Sequence, residues 1–146
     1  MDSKSVRIGW IVMLILGVFW IVAALYSLTG GWLERAWEQS TGQSWAAFIA
    51  ANPAATVEFV ETSMRTAGIA QLTIGVLVVL VALFAYRRGQ KWSWYSLLAG
   101  GIIYWVGFLI HEIIAGGPLP WVIAGLVLLI IALAVPAKSI LAQKSS

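Results

Sequence analysis

From Gly68 to Tyr86 the chain carries no charged residue, and the run stops on the basic pair Arg87-Arg88. About 20 apolar residues are what a helix needs to cross a ~30 Å hydrocarbon core. Three further apolar runs lie at about 8–29, 92–115 and 119–135, the second of them carrying Glu112. Backbone groups in lipid have no water to bond, so a run of this length is restricted to helix. Composition points the same way: the chain of 146 residues is 61% hydrophobic and 10% charged, against about 25% charged in a soluble domain. A chain this small cannot hide so much apolar surface from water, which leaves lipid as its solvent. The expected fold is all-α: an integral membrane four-helix bundle in a single transmembrane domain, with short amphipathic helices in an outward loop between the first two spans.

The segments between the spans are short, with one exception. A leader from Asp2 to Arg7 carries Lys4 and Arg7. The run behind it is longer than the 7–15 residues of a signal-peptide core, and no small-residue cleavage site follows. It reads as an uncleaved first span, ended by Gly30-Gly31. The stretch 32–66 is the one long segment that cannot span. Trp32 to Glu38 places Leu33 and Trp37 four apart on one face beside charges, the pattern of a short surface helix. Ser44 is a candidate cap for a helix over Trp45–Ala51. Asn52-Pro53 marks a turn, and Thr56 is a candidate cap for a helix running from about Val57 into the second span. Arg87 to Lys91 is a tight basic turn, Gly116 to Pro120 a short hairpin connection, and Pro136 an expected stop for the fourth span.

Charge sets an orientation. Lys4, Arg7, Arg87, Arg88, Lys91, Lys138 and Lys144 fall on one side of the spans, Arg35 and Arg65 on the other. The positive-inside rule then places both termini and the basic turn in the cytoplasm, in the cell inner (plasma) membrane, with 32–66 facing outward. Trp10, Trp92 and Trp94 fall at the inner interface, Trp32 and Trp121 at the outer one. Outside the spans there is no basic stripe with interleaved aromatics, so the chain has no footprint for nucleic acid.

Ionisable groups in a span cost about 2.5–3.5 kcal/mol at its centre, less toward the interface, and are candidate sites by default. Gly100, Tyr104, Gly107 and His111 share one face of the third span. Arg65, Gly68, Gln71, Leu72 and Gly75 share a face of the second, and Gly17, Trp20, Ala24 and Ser27 one of the first. Glycines allow close helix approach, so these three faces are expected to meet, with the fourth span closing the bundle and meeting lipid. Glu58, Glu61, Arg65, His111 and Glu112 would then cluster at the outer boundary. Below them would lie a pocket lined by Trp20, Gln71, Tyr104 and Trp105. The bland counterparts are a helix-tethering ion pair for Arg65 with Glu61 or Glu112, a satisfied interface histidine, glycines that serve packing alone, and a surface anchor at Trp32–Glu38. One histidine and no cysteine are too few for a metal or haem site, so no cofactor is expected. No catalytic motif is present.

The pattern Glu61-x3-Arg65-x2-Gly68, the turn Tyr86-Arg87-Arg88-Gly89-Gln90-Lys91-Trp92-Ser93-Trp94-Tyr95 and the late His111 resemble DoxX-like and neighbouring small four-helix membrane proteins of bacteria and archaea, over about 55–115. The resemblance implies a four-helix bundle with an outward connection after the first helix. Some members look like subunits of quinone-linked oxidoreductase complexes. The lack of cysteine departs from the quinone reductases that use a Cys pair, and the lack of an acid in the first span departs from small multidrug exporters. The leading expectation is an accessory or structural subunit of a larger membrane complex or homo-oligomer, or a binder of a lipid-like molecule through an outer pocket. A second is a membrane enzyme or redox subunit acting on a quinone- or isoprenoid-like substrate, with Arg65 holding a polar head, His111 moving protons and Glu61 or Glu112 orienting it. A transporter is the weakest, because the inner half of every span lacks charge.

Overall fold

The computed structural model describes residues 4–31, 33–115, 117 and 119–142. Asp2, Trp32, Gly116, Pro118 and Lys144, to which the sequence assigns places in the leader, loops and tail, lie outside the described residues. The elements are α1 (Lys4–Leu28), α2 (Leu33–Thr41), α3 (Trp45–Ala51), α4 (Ala54–Phe84), a 3₁₀ turn (Tyr86–Arg88), α5 (Lys91–Ala115) and α6 (Leu119–Leu141), with no strand among the described residues. Helices α1, α4, α5 and α6 are each long and apolar enough to cross a membrane. Antiparallel connections put Lys4, Arg7, Arg87, Arg88, Lys91 and Lys138 at one end, the basic end. Helices α2 and α3 belong to the opposite, acidic end.

The short elements follow local chemistry. Ser44 accepts a hydrogen bond from the Ala47 N–H at 3.2 Å and so caps α3, as its position suggested. Helix α4 departs from expectation. It starts at Ala54 behind Pro53, with no side-chain cap, because proline's fixed φ already suits a helix start. At 31 residues it is about 46 Å long, well beyond a ~30 Å core, so its first turns project past the bundle.

Helix α1 lies at the centre. It packs along α4 on one side and α6 on the other, α6 packs along α5, and α4 barely touches α5. Three glycines make the central contacts. A methyl group on Gly9 would stand 2.6 Å from Pro136 Cγ and 2.8 Å from the Ala132 carbonyl oxygen. One on Gly17 would meet Val79 Cγ2 at 2.8 Å, and one on Gly75 the Ile21 nitrogen at 3.0 Å. The expected meeting of the first and second spans is therefore found, through Gly17 on α1 and Gly68 and Gly75 on α4, all buried, whereas Trp20 packs against α5.

Two expectations are corrected. The fourth span is not a peripheral closing helix: Val122, Gly125, Leu129, Ala132, Leu133, Pro136 and Ile140 are all buried. Apolar helices pack through small residues and fitted surfaces whether or not they carry polar groups, so a lack of polar residues did not mark α6 as lipid-facing. In α5, Gly100 and Gly107 are exposed, with nothing within 4 Å of a Cβ placed on either. Its packing edge is instead Leu97, Gly101 and Trp105, and the Trp105 ring lies directly on Gly125 of α6.

Nor does Pro136 end α6, which continues to Leu141 with the proline inside. A helical proline removes the N–H that the carbonyl four residues earlier would accept, here that of Ala132. That carbonyl accepts instead from the hydroxyl of fully buried Tyr86 at 2.7 Å. Next to it, Trp94 Nε1 donates to the Leu133 carbonyl at 2.9 Å, and the Ser5 and Ser139 hydroxyls meet at 2.7 Å. The basic end is thus laced together by side chains from α1, the 3₁₀ turn, α5 and α6.

Tyr86→Phe is expected to cost about 1–3 kcal/mol, the range for stranding a buried acceptor. In a Pro136→Ala background the new backbone N–H can donate to the Ala132 carbonyl, and the same change should cost markedly less. A double-mutant cycle of unfolding in detergent micelles measures the difference, and equal costs in both backgrounds would refute this account.

Candidate functional site

Because α4 and α5 part company toward the acidic end, a cavity of about 690 Å³ opens in front of α1. It has the size of a small-molecule pocket. Every long helix contributes to it: Phe19, Trp20, Ala23 and Ser27 from α1, Met64 and Gln71 from α4, Trp105, Phe108, His111 and Glu112 from α5, Trp121 and Val122 from α6. Helix α2 adds Arg35, Ala36, Gln39 and Ser40.

The floor is aromatic. Buried Trp20 meets Tyr104 edge-on with ring centroids 4.8 Å apart, Trp105 at 5.4 Å and Phe108 at 6.3 Å. Offset and edge-on pairs of this kind are worth about 0.5–1.5 kcal/mol each beyond area burial. The Trp105 ring keeps its place because Gly125 leaves room for it. Across the seam, the Gln71 side chain of α4 lies near Tyr104 on α5, where the two helices otherwise hardly touch.

The other end of the cavity is polar. His111 lies parallel to Phe108, with centroids 6.5 Å apart and planes 11° apart. Glu112 is half-buried, and its carboxylate folds back against Gly117 at the end of α5. Arg35, Gln39 and Ser40 stand above. Helix α2 is fixed in place by Trp37, which packs on Trp45 at 5.4 Å and Phe48 at 4.1 Å in α3. It is flanked by Gly30 and Gly42, whose φ angles of +81° and +69° are left-handed and free of neighbours. Two such glycines let this short helix turn away from α1 and back toward α4 without backbone strain.

The structure therefore divides the expected site. Trp20, Gln71, His111 and Glu112 do line one cavity, with Trp105, and Tyr104 completes its aromatic floor. Glu58, Glu61 and Arg65 do not join them. Glu58 and Glu61 line a separate surface depression of about 380 Å³ with Ile49, Asn52, Ala54 and Val57. Arg65 is 63% exposed and pairs with Glu61 at 3.4 Å, one helical turn away. Helix rotation explains Arg65: it follows Met64, which lines the cavity, but points outward, while Glu58 and Glu61 lie toward the projecting start of α4. The residues that sequence reasoning missed are Arg35, Gln39 and Ser40. Arg35 and Gln39 lie four apart on one face of α2, a spacing that could have been read as a roof rather than as a surface anchor.

Comparison of the chain with protein-family models, with curated proteins and with solved structures finds no match.

Arg65→Ala should change unfolding free energy by no more than about 1 kcal/mol, the ceiling for an exposed i,i+4 pair. Trp20→Ala should cost about 3–5 kcal/mol, as for other buried large-to-small aromatic changes. Chemical unfolding of both variants in the same detergent checks the order, and a larger loss at Arg65 would mean that it is part of the packed site.

Proposed function

We propose that this is a small multi-pass membrane protein of four spans that holds one lipid-like amphiphile in a pocket at the outer leaflet. The observation that carries the reading is the cavity itself, with aromatic walls at one end, polar groups at the other and an open side between α4 and α5. An amphiphile needs those three things: an apolar chamber, partners for a head, and a lateral way in from the bilayer. The charge distribution supports an inner-membrane location with both termini and the Arg87–Lys91 turn in the cytoplasm. On that placement α2 and α3 lie at the outer surface, and α2 roofs the pocket. The resemblance to DoxX-like four-helix proteins belongs to the same reading, with 55–115 forming the second and third spans.

A role as accessory subunit is compatible with this binding. It draws support from the outward face of α5, where Gly100, Ile103 and Gly107 are exposed and a partner helix could approach closely. The enzyme reading draws support from His111 and Glu112 sharing the cavity mouth, where a proton could be exchanged with a quinone-like head. It loses Arg65 and Glu61 as head-group ligands, because both lie outside the cavity.

Native mass spectrometry of the purified chain is expected to find one amphiphile per copy. Ala23 lines the cavity with a small side chain, so Ala23→Trp should fill the space and lower that occupancy about tenfold, a change of about 1.4 kcal/mol in binding. Unaltered occupancy in a folded Ala23→Trp variant would remove the pocket from consideration. A co-purifying larger subunit at fixed stoichiometry would favour the accessory role.

A further inference from the structure

The cavity mouth carries one cation and one anion that do not pair with each other. Arg35 and Glu112 both line the cavity, yet the ion pair found among the described residues is that of Arg65 with Glu61. Neither Arg35 nor Glu112 has a side-chain hydrogen bond or ion pair among those residues. Each also sits at the unfavourable end of its helix. Arg35 lies in the first turn of α2, near the positive pole of the helix dipole, and Glu112 in the last turn of α5, near a negative pole. Such charges gain most from a ligand that brings the opposite sign to each.

Resting on the amphiphile reading above, we infer that the bound head group is zwitterionic, with its anionic group facing Arg35 and its ammonium facing Glu112. A phosphate suits the first position, because the planar guanidinium fork matches its oxygens. An ammonium suits the second, because it meets a half-buried carboxylate, and aromatic rings such as Trp121 and Phe108 line the same cavity and attract cations with their faces. The seam between α4 and α5 leaves the tails in the bilayer, so the source of the head is a membrane lipid, phosphatidylethanolamine being the plainest case. A purely anionic lipid would leave Glu112 facing like charge, and a purely cationic one would do so to Arg35.

The test offers the full-length chain, in neutral detergent, an equal mixture of three lipids with identical tails: phosphatidylethanolamine, phosphatidylglycerol and a trimethylammonium lipid. Retention is read by native mass spectrometry. The zwitterion is expected to be retained about fivefold over either single-sign lipid, the upper end of what one partly exposed charge pair contributes. Arg35→Gln should move the preference toward the cationic lipid and Glu112→Gln toward phosphatidylglycerol. Retention of either single-sign lipid at the zwitterion's level, or two variants that weaken all three lipids alike, overturns the inference. Displacement of lipid by soluble phosphoethanolamine at matched concentration overturns the lipid source. Ala23→Trp separates the layers: if it abolishes all retention while the wild type shows no head-group order, only the zwitterion assignment falls, and if retention survives it, the amphiphile pocket falls too.

Discussion

The near contact of α1 with its two neighbours sets the position of everything else. Helices this apolar gain little from hiding one apolar face against another when lipid surrounds them, so van der Waals fit decides which faces meet. Gly9 admits Pro136, and Gly17 and Gly75 bring the backbones of α1 and α4 close together. Once α1 holds α4 on one side and α6 on the other, α5 packs along α6 and meets α1 through the Trp20 ring. The order α4–α1–α6–α5 therefore has an open side, and the cavity lies there against α1, with the buried Trp20 ring in its floor.

The two ends of the bundle solve the open seam differently. At the basic end the gap is closed by hydrogen bonds. The missing N–H of Pro136 creates a free acceptor at Ala132 and Tyr86 fills it, while Trp94 and Ser5 add ties nearby. A buried polar group in an apolar surrounding must find a partner, so this arrangement fixes the distance between the 3₁₀ turn, the start of α5 and α6. At the acidic end α4 and α5 hardly touch, and the space between them stays open as the cavity. The fold is thus clamped at one end and parted at the other.

Much of this was legible in the residues. Four apolar runs became four long helices, Ser44 announced the cap it forms, and the glycine faces of the first two spans meet. Trp20, Gln71, Tyr104, His111 and Glu112 do share one region. What was hidden depends on helix rotation and on partners distant in sequence. The sequence of α5 offers two glycine-bearing faces, and only the shape of α6, with Gly125 opposite Trp105, decides which one packs. Pro136 reads as a stop because its missing donor is visible in sequence, whereas the hydroxyl that compensates lies 46 positions from the carbonyl it serves. Sequence shows Arg65 and His111 near the outer ends of their helices. It does not show that Met64, not its neighbour Arg65, is the residue of α4 turned to the cavity.

Helix α2 buries none of its residues and joins its neighbours through two left-handed glycines. Its Arg35, Gln39 and Ser40 can be exchanged without disturbing a single contact of the central helices, whereas Trp20 and Trp105 belong to cavity and core together. On the proposed reading, evolution could retune which head group is received by editing one short helix, while the chamber beneath stays fixed by the packing that holds the molecule up.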